Sequence, residues 1–175
     1  MPENLEKYIR EVPDFPKPGI GFKDITTLLK DAEGFRLAVD QLAEQLTGVE
    51  IDAVAVIESR GFTFGSALAY KLGTGLLLVR KPGKLPARTI REEYSLEYGT
   101  DALEIHQDAV GRGQRILIVD DLLATGGTAL AVARLVERSG GKVAGVAFVV
   151  ELDFLNGRRK LEGYKIISLV HYQSE

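Results

Sequence analysis

Residues 115–130, RILIVDDLLATGGTAL, constrain the fold more than any other part of the chain. Their ILIV core is a continuous apolar run, the pattern of a strand buried on both faces, and such strands belong to parallel sheets covered by helices on either side. The run stops at two acids, Asp120 and Asp121. A glycine turn, Gly126-Gly127, follows, and Leu130, Ala133 and Val136 then recur at helical spacing. The segment is predicted to be strand, loop and helix, with both aspartates where the strand ends. In open α/β sheets, ligands bind outside the carboxyl ends of the strands, where this loop lies.

The rest of the chain repeats that alternation. A short amphipathic helix is predicted over 4–12, and PDFPKPGIGFKD then breaks it into an irregular, extended segment. Phe35, Val39, Leu42 and Leu46 recur at helical spacing, with Asp31 as N-cap and Gly48 as stop. IDAVAVIE reads as a strand, GFTFGSALAYKLG as a helix and GLLLVR as a strand; TIREEYSLEYGTDALEIH reads as a hairpin or long flap about Gly99. Strand KVAGVAFVVE, a turn near Asn156-Gly157 and strand KIISLV complete the chain. The pattern predicts an α/β fold with a central, mostly parallel sheet flanked by helices, and 175 residues read as one domain over 1–175.

Composition narrows the chemistry. A formal net charge of -3 supplies no global basic field for nucleic acid or an anionic membrane, so any anion site is local. The absence of cysteine removes thiolate catalysis and thiolate metal sites. The N-terminus has no apolar signal core, and runs such as VAFVV fall short of the ~18 apolar residues of a membrane span, so a cytoplasmic location is expected. His106 and His171 have no metal-ligand partner at a recognisable spacing and read as surface or satisfied histidines.

Thr125-Gly126-Gly127-Thr128 at the start of a helix is suited to an anion: free backbone N–H groups, a favourable dipole and two hydroxyls. The segment has neither the Lys of a P-loop nor the spacing of the dinucleotide fingerprint. Asp120 and Asp121 then serve another part of the same ligand, one bearing hydroxyls, a metal ion or developing positive charge. A ribose 5-phosphate meets both demands. If its C1 loses a leaving group it becomes oxocarbenium-like, and a carboxylate at ~4 Å is worth about 4 kcal/mol at an effective dielectric near 20, before desolvation.

ILIVDDLLATGGT resembles the phosphoribosyl pyrophosphate (PRPP) motif of the type I phosphoribosyltransferases. PDFPKPGIGFKDIT, ESRGFTFGSALA and RKPGKLPARTIREEYSLEYG narrow the resemblance to the adenine phosphoribosyltransferase family, and with the PRPP motif they span residues 13–128. The resemblance implies a type I phosphoribosyltransferase fold with a base-binding hood over about 1–30 and a flap over about 82–105. It implies the reaction of adenine with PRPP and Mg2+ to give AMP and pyrophosphate, and a homodimer. Magnesium is expected to arrive with PRPP, near Asp120 and Asp121, with no direct protein ligand required.

Residue by residue, Asp120 and Asp121 match the family's ribose-binding acids, and Ala124, Thr125, Gly126, Gly127 and Thr128 its 5-phosphate loop. Glu58, Ser59 and Arg60 match its pyrophosphate site, with a non-proline cis peptide between the first two; Arg60 offers a planar fork suited to phosphate. Arg80, Lys81 and Lys84, in a basic strip continued by Arg88 and Arg91, match further pyrophosphate contacts. Glu97 on the flap is expected to accept the proton adenine sheds when it attacks through N9, and Tyr98 to help order the closed flap. Phe22 and Leu122 are expected to sandwich the purine. The Gly21 carbonyl would accept from the 6-amino group and the Lys23 backbone N–H would lie near N7, so that 6-oxo purines are rejected by an unsatisfied contact.

Two other readings compete. A PRPP-sensing regulator needs a nucleic-acid-binding appendage or basic face, for which the chain has neither spare length nor charge. A phosphoribosyltransferase for xanthine or orotate is opposed by GFKDIT.

Overall fold

The computed structural model describes residues 4–96 and 98–175. The chain begins with a 3-10 turn at Leu5–Tyr8, strands β1 (Arg10–Val12) and β2 (Phe22–Asp24), and helices α1 (Thr26–Lys30) and α2 (Ala32–Gln45). Strand β3 (Ala53–Ile57), helix α3 (Gly61–Leu72) and strand β4 (Gly75–Val79) follow, then the hairpin β5 (Thr89–Ser95) and β6 (Thr100–His106). Strand β7 (Arg115–Leu123), helix α4 (Gly127–Arg138), strand β8 (Lys142–Leu152) and strand β9 (Ile166–Tyr172) complete it.

The central sheet has the order β4-β3-β7-β8-β9, and every neighbouring pair is parallel. Side chains alternate faces along a strand. Val54, Val56, Leu117 and Val119 meet Leu28, Ala38, Leu42, Phe64 and Leu68 of α1, α2 and α3. Ala55, Ile57, Ile116 and Ile118 meet Val132, Leu135 and Val136 of α4 on the other face. The apolar run is thus buried because both sides of the sheet are covered. Helix α3 lies so close to β3 that a β-carbon on Gly65 would come 2.2 Å from Val56 Cγ1, so only glycine fits there. As expected, Asp31 caps α2, its side chain accepting from the Gly34 N–H at 2.8 Å.

Two expectations need correction. The helix predicted over 4–12 is a single 3-10 turn followed by strand β1, because Arg10, Glu11 and Val12 pair antiparallel with Asp24, Lys23 and Phe22. Long-range pairing overrides the local spacing. Strand β7 does not stop at the aspartates either: it continues to Leu123, paired with β8 through Asp120, Leu122 and Leu123.

Candidate active site

Three neighbouring strands, β4, β3 and β7, deliver the site from their carboxyl ends. After β3 come Glu58 and Ser59, joined by a cis peptide, then Arg60 at the start of α3. After β4 come Arg80 and Lys81. The Glu58 carboxylate ties the two segments together, its Oε1 accepting from Arg80 Nε at 3.3 Å and from the Lys81 backbone N–H at 2.5 Å. Arg60 Nε donates to Asp121 Oδ2 at 2.6 Å, linking β3 to β7. The Lys81 ammonium pairs with Asp101 of β6, and the Tyr94 hydroxyl of β5 reaches the same carboxylate at 3.3 Å. The hairpin is thereby anchored to the basic segment. The Lys81 ammonium is raised above its ordinary value by Asp101, and the Asp101 carboxyl is lowered by Lys81.

These groups surround a cavity of about 340 Å3 lined by Glu58, Ser59, Arg60, Lys81, Tyr94, Asp120, Asp121 and Thr128, among others. Both aspartates line the cavity, Asp121 buried and Asp120 partly buried. Burial, and then the neighbouring Asp121 carboxylate, push the Asp120 carboxyl well above its ordinary value. Asp120 Oδ1 accepts from the Asp121 N–H at 2.9 Å. The start of α3 abuts this carboxylate: a β-carbon on Gly61 would lie 2.8 Å from Asp120 Oδ1.

The glycine loop closes the next cavity, of about 80 Å3, lined by Asp120, Leu122, Ala124, Thr125, Gly126 and Thr128, among others. Gly126 takes φ 83°, a conformation glycine adopts without penalty, and caps α4. The first helical hydrogen bond joins Leu130 N to Gly126 O at 3.0 Å, so the N–H groups of Gly127, Thr128 and Ala129 precede the ladder. The two cavities share Asp120 and Thr128. The space at the glycine loop and the space beside the aspartates are therefore adjacent.

Of the base-contacting candidates, Phe22 packs edge-on against Phe15, ring centroids 5.1 Å apart, and lies 5.8 Å from the Arg60 guanidinium. Phe22, Arg60 and Asp121 thus form a chain from the hood to the residue preceding Leu122. The Lys23 side chain is committed elsewhere, to Glu11 at 2.5 Å and over the Tyr172 ring at 4.5 Å. Gly21 sits beside Glu11; a β-carbon there would lie 3.0 Å from the carboxylate. Lys84 is exposed in the turn after Lys81, and Tyr98 is 84% exposed. Glu97 lies outside the described residues.

Sequence reasoning missed three contributors. Tyr94 and Asp101 were legible only as hairpin residues, although their alternation along β5 and β6 points them inward. Gly157 read as a turn glycine, yet it buttresses the glycine loop: a β-carbon on Gly126 would lie 2.5 Å from Gly157 O, and one on Gly157 would lie 2.2 Å from Ala124 O.

His171 is an exposed histidine with its hydrogen-bond partner in place. His171 has no partner nearby in sequence, but β9 brings it 2.9 Å from Asp153, and with Glu151 the three form a grouping whose ligand atoms lie within 4.8 Å. Their oxygens are engaged: Glu151 holds Arg158 at 2.9 and 2.6 Å and Ser168 at 2.6 Å, while Asp153 holds His171 and Gln173. None of the three lines the cavity at Asp120 and Asp121.

The fold and sequence are shared with known proteins. A family model described as Phosphoribosyl transferase domain matches residues 26–170. The adenine phosphoribosyltransferase of Acidobacterium capsulatum is 60% identical over 170 residues, covering 97% of this chain and 94% of the relative. The crystal structure of adenine phosphoribosyltransferase from Thermoanaerobacter pseudethanolicus superposes with a TM-score of 0.93 at 59% identity, covering 97% of this chain and 100% of that one. The Saccharomyces cerevisiae structure, complexed with D-2,5-dideoxy-2,5-imino-altritol 1,6-bisphosphate and adenine, gives 0.88 at 40% identity, covering 94% and 96%.

Proposed function

The chain belongs to the adenine phosphoribosyltransferase family, and from that membership we propose how its residues divide the family's reaction. The reaction is transfer of the 5-phosphoribosyl group from PRPP to adenine, giving AMP and pyrophosphate, a step of purine salvage. The observation that carries the assignment is the adjacency of the two cavities, which share Asp120 and Thr128, with the glycine loop on one side and Arg60 and Lys81 on the other.

In this reading the loop Ala124, Thr125, Gly126, Gly127 and Thr128 holds the 5-phosphate. Asp120 and Asp121 receive the ribose hydroxyls and stabilise the cationic ring as the C1–diphosphate bond lengthens. Arg60, Ser59, Arg80, Lys81 and Lys84 bind the departing diphosphate, and Glu58 positions Arg80 and Lys81 for it. The Arg60–Asp121 ion pair gives Arg60 a place to rest before a diphosphate oxygen becomes its second acceptor. Phe22 and Leu122 flank adenine, Gly21 and Lys23 read its edge through backbone groups, and Glu97 accepts the N9 proton. Tyr98 orders the flap over the site and excludes water.

The oxygen donors of Asp120 and Asp121 suit a hard cation such as Mg2+, and one Asp121 oxygen is already bonded to Arg60, which fits a metal held mainly by PRPP's own oxygens. Bound with PRPP, magnesium supplies positive charge to the leaving diphosphate. A cytoplasmic homodimer completes the proposal. The exposed Leu76 and Leu78 of edge strand β4, and the exposed Tyr70 of α3, are apolar groups that a second copy would cover.

Calorimetric titration with two fragments tests this division. Arg60→Ala is expected to weaken pyrophosphate and spare ribose 5-phosphate, whereas Thr125→Val is expected to do the reverse. Equal losses of both fragments in both variants would overturn it.

A further inference from the structure

We propose that Lys160 is a phosphate-binding residue, supplying to the glycine loop the cation that its motif lacks. The proposal rests on reading Ala124–Thr128 as the 5-phosphate loop.

Lys160 belongs to the 3-10 helix Gly157–Leu161. With about three residues per turn, positions i and i+3 of such a helix lie on one face. Gly157 and Lys160 are such a pair. The Gly157 backbone is pressed against the loop at Ala124 and Gly126, so the face that carries Gly157 is the face turned toward the loop. The turn is anchored from the other side. Arg158 makes a two-pronged bond to the buried Glu151, which also accepts from Ser168, and Leu161 is fully buried in the core.

That anchoring carries Lys160 to the start of α4. Its Nζ lies 3.9 Å from the position a β-carbon on Gly127 would occupy, beside Tyr94 and the Ser95 carbonyl of β5. Two observations mark the placement as unfinished without an anion. First, Arg60, Arg80 and Lys81 each hold a carboxylate, whereas among the described residues no ion pair involves Lys160. Second, the start of a helix is its positive end, so an ammonium there is repelled by the unpaired N–H groups of Gly127 and Thr128. A dianionic phosphate shared between them turns that repulsion into two attractions. A flexible ammonium binds phosphate as a point charge and does not need the loop spacing of a P-loop lysine. The cation is thus supplied from a turn distant in sequence.

The test is calorimetric titration of the full chain with ribose 5-phosphate and, separately, inorganic pyrophosphate, at fixed ionic strength. Lys160→Met keeps the aliphatic stem of this exposed side chain and removes the charge. The expected result is about tenfold weaker ribose 5-phosphate binding, unchanged pyrophosphate binding and an unchanged melting temperature. Lys160→Arg is expected to recover most of the loss. Unchanged ribose 5-phosphate affinity in Lys160→Met, or an equal loss for both fragments, would overturn the proposal. Thr125→Val, titrated alongside, separates the two readings. If it weakens ribose 5-phosphate while Lys160→Met does not, only the role of Lys160 falls; if neither variant does, the loop assignment falls and Lys160 with it.

Discussion

Arg60 and Asp121 face each other across the cavity, with Arg60 Nε donating to Asp121 Oδ2 at 2.6 Å; the arginine side chain is 51% exposed and the aspartate 7%. The buried carboxylate is fixed by β7, while the guanidinium can leave it for a ligand. Asp121→Asn keeps the shape and removes the charge. Turnover is expected to fall by about 10²-fold, the scale of losing one electrostatic contact to a developing charge. Because Arg60 is half exposed, stability is expected to change by no more than about 1 kcal/mol. A steady-state assay with a parallel melt checks both, and an unchanged rate of AMP formation contradicts the role given to Asp121.

Glu97→Gln is expected to lower kcat by at least roughly 10²-fold, the low end for general acid–base catalysis, with PRPP binding retained. The dependence of kcat on pH should flatten on its acid side, because the proton acceptor has gone. A variant with wild-type kcat and an unaltered pH profile would remove Glu97 from the chemistry.

Gly157→Ala places a methyl group 2.2 Å from Ala124 O, so the loop or the turn must move. Overpacking of this kind costs about 1–3 kcal/mol. Ribose 5-phosphate affinity is expected to fall while pyrophosphate affinity holds. Unaltered binding of both would show that the loop does not depend on this buttress.

Asp24 anchors the hood. Its carboxylate accepts from Arg10 at 2.5 and 3.1 Å and from the Thr26 N–H and hydroxyl at 2.9 and 2.7 Å, and Arg10, then Thr26, lowers the carboxyl to about 2. A depressed value means that the folded state favours the charged form. Its contribution to stability is complete above the ordinary carboxylate value of about 4 and is lost as pH falls through about 2. Asp24→Asn is therefore expected to lower the melting temperature near neutral pH, and by less as pH falls across that window. A difference that does not change with pH would contradict the linkage.

Much of this was legible in the sequence because its causes are local. The ILIV run of β7, the cap at Asp31 and the glycine turn before α4 depend on burial pattern, a side chain three residues from its N–H, and left-handed backbone. The aspartates and the glycine loop share one segment, so their proximity needed no fold. What escaped depends on distant partners. Arg10–Val12 become a strand only because Phe22–Asp24 return alongside. Tyr94, Asp101 and Gly157 matter through Thr128, Lys81 and Ala124, each on another element. Lys160 stands in the run Arg158-Arg159-Lys160, whose faces are separated only by the 3-10 turn. The C-terminal VHYQSE had no readable signal, yet Tyr172 lies under Lys23, and His171 and Gln173 hold Asp153.

The most direct measurement offers adenine, hypoxanthine, guanine, xanthine and orotate in parallel, each with PRPP and magnesium, and follows nucleotide and pyrophosphate together. AMP and pyrophosphate are expected in equal amounts from adenine, and no nucleotide from the other bases: the 6-oxo group of hypoxanthine, guanine and xanthine would face the Gly21 carbonyl without a hydrogen, and orotate carries no exocyclic amino group to donate to it. Nucleotide formed from a 6-oxo base at a rate comparable to adenine, or no AMP from adenine, would contradict that expectation.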